Sequence, residues 1–202
     1  VSLLEKAGCI ELDFGGESGS ERLQEFVCKD VTAEQMVQAV GNLRKWAPSI
    51  EPYVSWLSGL PNETYEDMLK TFELMDKMKE ANPLTQHYGI FMYTPFPSPM
   101  LESIESNFQS PQSLEDWGNI DVFHFQPPWH TEEYVEKLRA ISAVTRYAFY
   151  PKSRIDEHGL GFKLGYSIMN RIACYRWSHR YFGFPVELKI ANGLVRRLRG
   201  FL

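Results

Sequence analysis

The residues best suited to chemistry lie in Asp13-Phe14-Gly15-Gly16-Glu17-Ser18-Gly19-Ser20, where a carboxylate sits in a glycine-rich junction between an apolar run and a helical one. Gly15, Gly16 and Gly19 let backbone approach a ligand closely and adopt positive φ. The Glu17 carboxylate suits hydroxyl or ammonium groups and would repel a pyrophosphate. The Gly-x-Gly-x-x-Gly fingerprint of dinucleotide-binding folds is also absent. A tight strand-to-helix turn with a solvated glutamate fits the same residues. Lys29 follows the next short helical stretch and could meet a carboxylate ligand, although taken alone it fits a surface lysine better.

Two further junctions of this kind follow, Ser58-Gly59-Leu60-Pro61-Asn62-Glu63-Thr64 and Tyr93-Thr94-Pro95-Phe96-Pro97-Ser98-Pro99. The elements between them set their positions. Cys9 to Phe14 alternates apolar with acidic residues, as a strand does. Ser20 can cap a short helix over residues 21–28. Thr32 and Gln35 form a capping box, with Val31 and Met36 as its hydrophobic staple, for a helix that stops at Pro48. Tyr53 to Ser58 is rich in β-formers, Thr64 with Asp67 caps a helix whose apolar face is Tyr65, Met68, Leu69, Phe72, Met75 and Met78, and His87 to Tyr93 is a third strand. The order βαβαβ implies parallel strands with helical crossovers. All three junctions then fall at the C-terminal edge of one sheet, where α/β folds keep their ligand sites.

From Leu101 the pattern changes to a Ser/Asn/Gln-rich stretch, then an aromatic one from Trp117 to Trp129 that His124 and His130 flank. Helices follow over roughly 132–149 and 160–182, with another after Pro185. The expected division is residues 1–101 as an α/β unit and 102–202 as a mainly α-helical extension.

Composition narrows the class. The 202 residues are 44% hydrophobic and 23% charged, which suits a globular protein. No run approaches a membrane span and the first residues lack a secretory leader, so the expected location is cytoplasmic. Cys9, Cys28 and Cys174 have no metal-ligand spacing. Residues 1–150 hold 11 basic and 23 acidic side chains, a net −12, whereas residues 151–202 hold 10 and 3, a net +7. The basic end, Arg196, Arg197 and Arg199 beside Leu194, Val195, Leu198, Phe201 and Leu202, reads as an amphipathic helix packed on the domain rather than a membrane contact. Aromatic residues are not interleaved with a basic patch, so no nucleic-acid partner is expected.

Leu4-x-x-Ala7-Gly8-Cys9-x-x-Leu12-x-Phe14 to Ser20-x-Arg22, Lys29-Asp30-x-Thr32-x-Glu34-Gln35, Gly59 to Thr64-x-Glu66-Asp67 and Tyr93 to Pro99, in that order, resemble the second half of the radical S-adenosylmethionine core. The style is nearest to the cobalamin-binding-domain subfamily, which includes the anaerobic magnesium-protoporphyrin ester cyclase and many methyltransferases. The resemblance covers the first half of the chain. Asn62 and Ser98 stand where glycines are usual in the family.

The resemblance implies the C-terminal half of a partial (β/α)6 TIM-like barrel and a metal-binding enzyme acting on a small-molecule substrate. It implies S-adenosylmethionine, a 4Fe-4S cluster and possible cobalamin as cofactors. Reductive cleavage of S-adenosylmethionine would give a 5′-deoxyadenosyl radical, with methylation or cyclisation as outcome. Gly15, Gly16, Glu17 and Ser18 fall in the cofactor-binding turn, with Glu17 at the ribose hydroxyls. Lys29 falls at the cofactor carboxylate, Ser55 at a strand position that reaches the ribose, and Gly59, Leu60, Pro61, Tyr93 and Pro95 near the adenosine. The family's Cys-x-x-x-Cys-x-x-Cys loop is not in this sequence. Together with the start at Val1, that leads us to expect an upstream part of the same polypeptide carrying the cluster, and a fragment inactive alone. A non-catalytic α/β binding module is the alternative.

Overall fold

The computed structural model describes residues 1–96, 108–120, 125–149, 159–183, 185–187 and 190. Its elements in chain order are α1 (Ser2–Lys6), β1 (Glu11–Glu17), α2 (Glu21–Phe26), α3 (Ala33–Trp46), β2 (Glu51–Ser58), α4 (Tyr65–Ala81), β3 (Gln86–Met92), α5 (Leu114–Gly118), α6 (Glu132–Ala148) and α7 (Leu160–Ser178). The three strands form one parallel sheet in the order β1-β2-β3. This is the α/β arrangement that the βαβαβ pattern requires. Among the described residues it is an open three-stranded sheet and not a closed barrel.

Both capping boxes form. The Thr32 hydroxyl accepts from the Gln35 amide at 3.2 Å while the Gln35 side chain accepts from the Thr32 amide at 2.9 Å. Thr64 and Asp67 repeat the exchange at the start of α4. Each box satisfies amides that the first helical turn cannot.

One face of the sheet is covered by helices. Val54, Trp56 and Ile90 pack with Met36 and Val40 of α3 and with Met68, Phe72 and Met75 of α4. Leu138, Ile141 and Val144 of α6 and Ala173 and Trp177 of α7 join the same core. Trp177 stacks edge-on against Phe72, and its indole N–H donates to Asp76 at 2.7 Å. Arg180 also reaches Asp76, at 2.6 Å. The helices after Leu101 thus pack into the core of the sheet.

Within that core lies a fully buried histidine. The Trp56 indole donates to His87 Nδ1 at 3.1 Å, so Nε2 carries the proton and donates to the Met75 carbonyl at 3.1 Å. Burial pushes the His87 pKa down to about 3, although the Met75 bond opposes the shift. The imidazole is therefore neutral.

β1 departs from expectation. The glycine-rich stretch does not end the strand, which runs on through Gly15 and Gly16 to Glu17. A bulge makes this possible: Gly15 pairs with Ser55 and Glu17 with Trp56, so Gly16 has no place in the register. Positive φ falls on Glu17, at 56°, rather than on the neighbouring glycines. Gly19 serves close packing instead, since a Cβ there would run into the Lys70 carbonyl and lie 2.6 Å from Thr71 Cα. Ser20 opens α2 without a side-chain cap, because its hydroxyl donates to Asp67 at 2.6 Å. The short helix α5 has no counterpart in the sequence reading, whereas α6 and α7 match the two expected helices closely. His124, Pro97, Ser98, Pro99 and the basic segment from Leu194 lie outside the described residues.

Candidate functional site

The three junctions come together at the C-terminal edge of the sheet, in two groups. The first lies on the face that the described helices do not cover. Asp13, Phe14, Gly15, Tyr53, Ser55 and Phe91 line a shallow cavity of about 410 Å³ there. At its rim, Lys29 Nζ donates to Glu17 Oε1 at 3.0 Å, and both side chains remain partly exposed. A Cβ on Gly15 would collide with Glu17 Oε1 and lie 2.7 Å from Lys29 Nζ. The chain therefore offers a carboxylate, an ammonium group and a glycine cradle within one turn.

Gly16 and Ser18 belong to the other side of that turn. A Cβ on Gly16 would lie 2.8 Å from Val54 Cγ1 and 2.9 Å from the Trp56 ring. The buried Ser18 hydroxyl is 3.3 Å from that of Thr71 and accepts from the Ser20 amide at 3.1 Å. These two residues fasten the turn to the core, while Gly15 and Glu17 face outward from it. Ser55 lines the cavity, its hydroxyl 3.4 Å from the Phe14 carbonyl.

The second group closes the edge. Leu60 and Tyr93 are buried against Leu23 of α2, with Trp129 packed on them. Pro61 and Pro95 are buried as well. Gly59, at φ 76°, accepts at its carbonyl from the Trp129 indole N–H at 2.8 Å, and the Leu60 carbonyl is 2.9 Å from His130 Nε2. Those two contacts cross 70 positions of sequence.

Acidic groups support this edge. Glu63 turns back into the junction, where its Oε2 accepts from the Leu60 amide at 3.0 Å. Burial raises its pKa to about 8, against the opposing pull of the Leu60 and Gly59 amides. Burial would also raise Asp67, but hydrogen bonds from Ser20, from the Thr64 amide and hydroxyl and from Arg22 win and hold it at about 2. Arg22 reaches Asp67 at 2.5 Å and the Asn62 carbonyl at 2.9 Å. Tyr134, on α6, is raised by burial and by Glu63, Asp67 and Glu66.

Sequence reading missed Gln24, quoted Arg22 without a role, gave Asp67 only as the partner of the Thr64 cap, and gave Trp129 only as part of an aromatic stretch. Gln24 had a legible signal, a polar residue on the apolar side of α2 beside Leu23. Among the described residues, no group of three His, Cys, Asp or Glu side chains could hold a metal ion, and the three cysteines are free and dispersed. They do not fit an iron-sulfur cluster. No described helix is long and apolar enough to cross a membrane.

No family model matches the chain. It is 28% identical over 165 residues to an uncharacterized methyltransferase of Pyrococcus horikoshii, a match covering 79% of this chain and 34% of that protein. It is 31% identical over 93 residues to a tRNA-2-methylthio-N(6)-dimethylallyladenosine synthase of Ehrlichia canis, covering 45% of this chain and 21% of that one. The synthase of the same name from Ehrlichia ruminantium is 26% identical over 189 residues, 92% of this chain and 39% of the relative.

By name, one of these relatives is a methyltransferase and two are synthases of a methylthio-modified adenosine of tRNA. Methyltransferase and methylthiotransferase kinship agrees, at the coarse level of a radical S-adenosylmethionine-like family, with the motif resemblance. The chain spans about a fifth to two fifths of the length of these relatives.

Proposed function

We propose that this chain is part of a radical S-adenosylmethionine iron-sulfur enzyme and supplies one side of its S-adenosylmethionine pocket. The observation that carries the reading is the Glu17, Lys29 and Gly15 constellation beside the Ser55-lined cavity at the C-terminal edge of a parallel sheet. Parallel α/β folds bind their ligands at that edge. The methyl- and methylthio-transferring relatives support the same reading.

Each residue has a task that its chemistry allows. The Glu17 carboxylate accepts hydrogen bonds from the ribose hydroxyls, and the Lys29 ammonium pairs with the carboxylate of the methionine moiety. Ser55 offers a hydroxyl from the strand beside them. Gly15 removes the Cβ that would fill the approach. Leu60 and Tyr93 give the adenosine an apolar border, and Gly59, Pro61 and Pro95 shape it.

When bound, S-adenosylmethionine supplies a methyl group or, on reduction, a 5′-deoxyadenosyl radical directed at an unactivated carbon of a small-molecule substrate. The protein positions it and keeps water away. The cluster ligands would come from another part of the polypeptide, since Cys9, Cys28 and Cys174 do not converge. The outer edge of β1, which pairs with no further strand among the described residues, is where that part would complete a barrel. Cobalamin rests on the subfamily resemblance alone.

The test is to purify the full-length protein anaerobically, reconstitute it with iron and sulfide, and add reductant and S-adenosylmethionine. Release of 5′-deoxyadenosine or S-adenosylhomocysteine is expected. Neither product, with the cluster present by its absorbance, would overturn the reading. A binding module without catalysis is the second reading, favoured by the dispersed cysteines. A full-length coding sequence without the three-cysteine loop would make it the better account.

A further inference from the structure

Glu17 sits in a left-handed conformation, at φ 56°, that an L-residue with a long side chain adopts only when its surroundings hold it there. The bulge beside it takes Gly16 out of the register. The Gly16 carbonyl accepts from a donor outside the strand ladder.

Gln24 is that donor. Its Nε2 donates to the Gly16 carbonyl at 2.7 Å and also to the Ser18 carbonyl, so one amide bridges the residues on either side of Glu17. The residue is 7% exposed, and Oε1 has no partner among the described residues. Burying an amide is costly unless it is hydrogen-bonded. Among the described residues, the two bonds to the turn are what offset that cost.

The same residue reaches the other half of the ion pair. The Gln24 carbonyl accepts from the Lys29 amide at 2.9 Å. Its own place is fixed by its amide donating to the Ser20 carbonyl at 2.9 Å and by Ser20 bonding Asp67. Leu23 beside it is buried against Leu60 and Tyr93.

We propose that Gln24 is a positioning residue for the ligand site: its amide bridges the carbonyls flanking Glu17 and its backbone carbonyl seats Lys29, so that both charged groups face the same ligand. The proposal rests on the S-adenosylmethionine reading. It assigns Gln24 no contact with the ligand.

The experiment is equilibrium binding of S-adenosylhomocysteine to the full-length protein, in a cycle of Gln24→Met, Glu17→Gln and the double variant, with a thermal melt of each. Gln24→Met keeps the length of the side chain and removes the donor. The expected result is a loss of affinity of about tenfold for Gln24→Met, the scale of one or two lost hydrogen bonds, with no further loss when it is added to Glu17→Gln. A purely structural role would instead lower the melting temperature and leave affinity unchanged, or lower it equally in both backgrounds, and either result overturns the proposal. Gln24→Glu, which retains the shape and exchanges the donor for an oxygen, is the second variant and should lose affinity likewise. If neither variant folds, Gln24 serves the fold and the proposal is overturned. Absence of binding by the unsubstituted protein would count against the S-adenosylmethionine reading itself, a failure distinct from that of Gln24.

Discussion

The two faces of the three-stranded sheet divide the work of this chain. The covered face carries Val54, Trp56, His87 and Ile90 against the helices, each of them buried. The open face carries Asp13, Gly15, Ser55 and Phe91, and Phe91 is 53% exposed. Alternate residues of the same strands thus answer to different demands, since successive side chains point to opposite faces. Packing fixes the identity of the first set. The second set is free to carry charge, hydroxyl and glycine where a ligand can use them.

The largest way to break this contrast is to truncate one residue on each face. Trp56→Ala should cost about 3–5 kcal/mol, because a large ring leaves a cavity in a closed core. Ser55→Ala, its neighbour on the open face, should change stability by no more than about 0.5 kcal/mol. Urea melts of the two variants would check the pair. Equal losses would mean that the open face is also part of the core.

Titration sharpens the contrast, because Glu63 and His87 are buried on opposite terms. Glu63 has its pKa raised to about 8, so its protonated form suits the fold; stability from it is present at acid pH and lost as pH rises toward 8. The scale at pH 7 is about 3 kcal/mol, at 1.36 kcal/mol per unit. His87 runs the other way. Its folded pKa is about 3, so its stability is present above its unfolded value near 6.5 and lost as pH falls from there toward 3. By pH 4.5 that loss reaches about 2.5 kcal/mol. The wild type should therefore gain stability from pH 8 to 6.5 and level off below, where the two slopes oppose. Glu63→Gln should abolish the gain and expose the His87 loss. A Glu63→Gln profile parallel to wild type would show that Glu63 does not carry the dependence.

A smaller effect separates adjacent glycines. Gly16→Ala drives a methyl into Val54 and Trp56, which overpacking makes worth about 1–3 kcal/mol. Gly15→Ala meets only the mobile ends of Glu17 and Lys29, so its cost should stay under about 1 kcal/mol. Its effect should fall on ligand binding instead. Thermal melts beside S-adenosylhomocysteine titrations would distinguish the two sites, and a reversed order would place Gly15 in the core.

Much of this was legible along the chain because the signals are local. Thr32 with Gln35 and Thr64 with Asp67 act within one helical turn, and strand-forming runs between helical ones imply a parallel sheet. The bulge at Gly16 was not legible, since the glycines suggested a turn and the strand instead continues to the left-handed Glu17. Nor were the Trp129 and His130 contacts with the Gly59 and Leu60 carbonyls, which join residues 70 apart. Arg180 and Asp76 meet across 104 positions. Side chains that bond a backbone carbonyl far away leave no spacing in the sequence. Within the candidate site, Glu17, Lys29 and Ser55 declared themselves by type and by motif, while Gln24, whose amide bridges the carbonyls flanking Glu17, is an ordinary residue on a short helix.

The most direct test of the ligand assignment is calorimetric titration of the full-length protein with S-adenosylhomocysteine, before and after Glu17→Gln. Saturable binding by the unsubstituted protein and about tenfold weaker binding by the variant, the scale of a lost charge-assisted hydrogen bond, is the expected result. No binding, or the same affinity in both, would contradict the account.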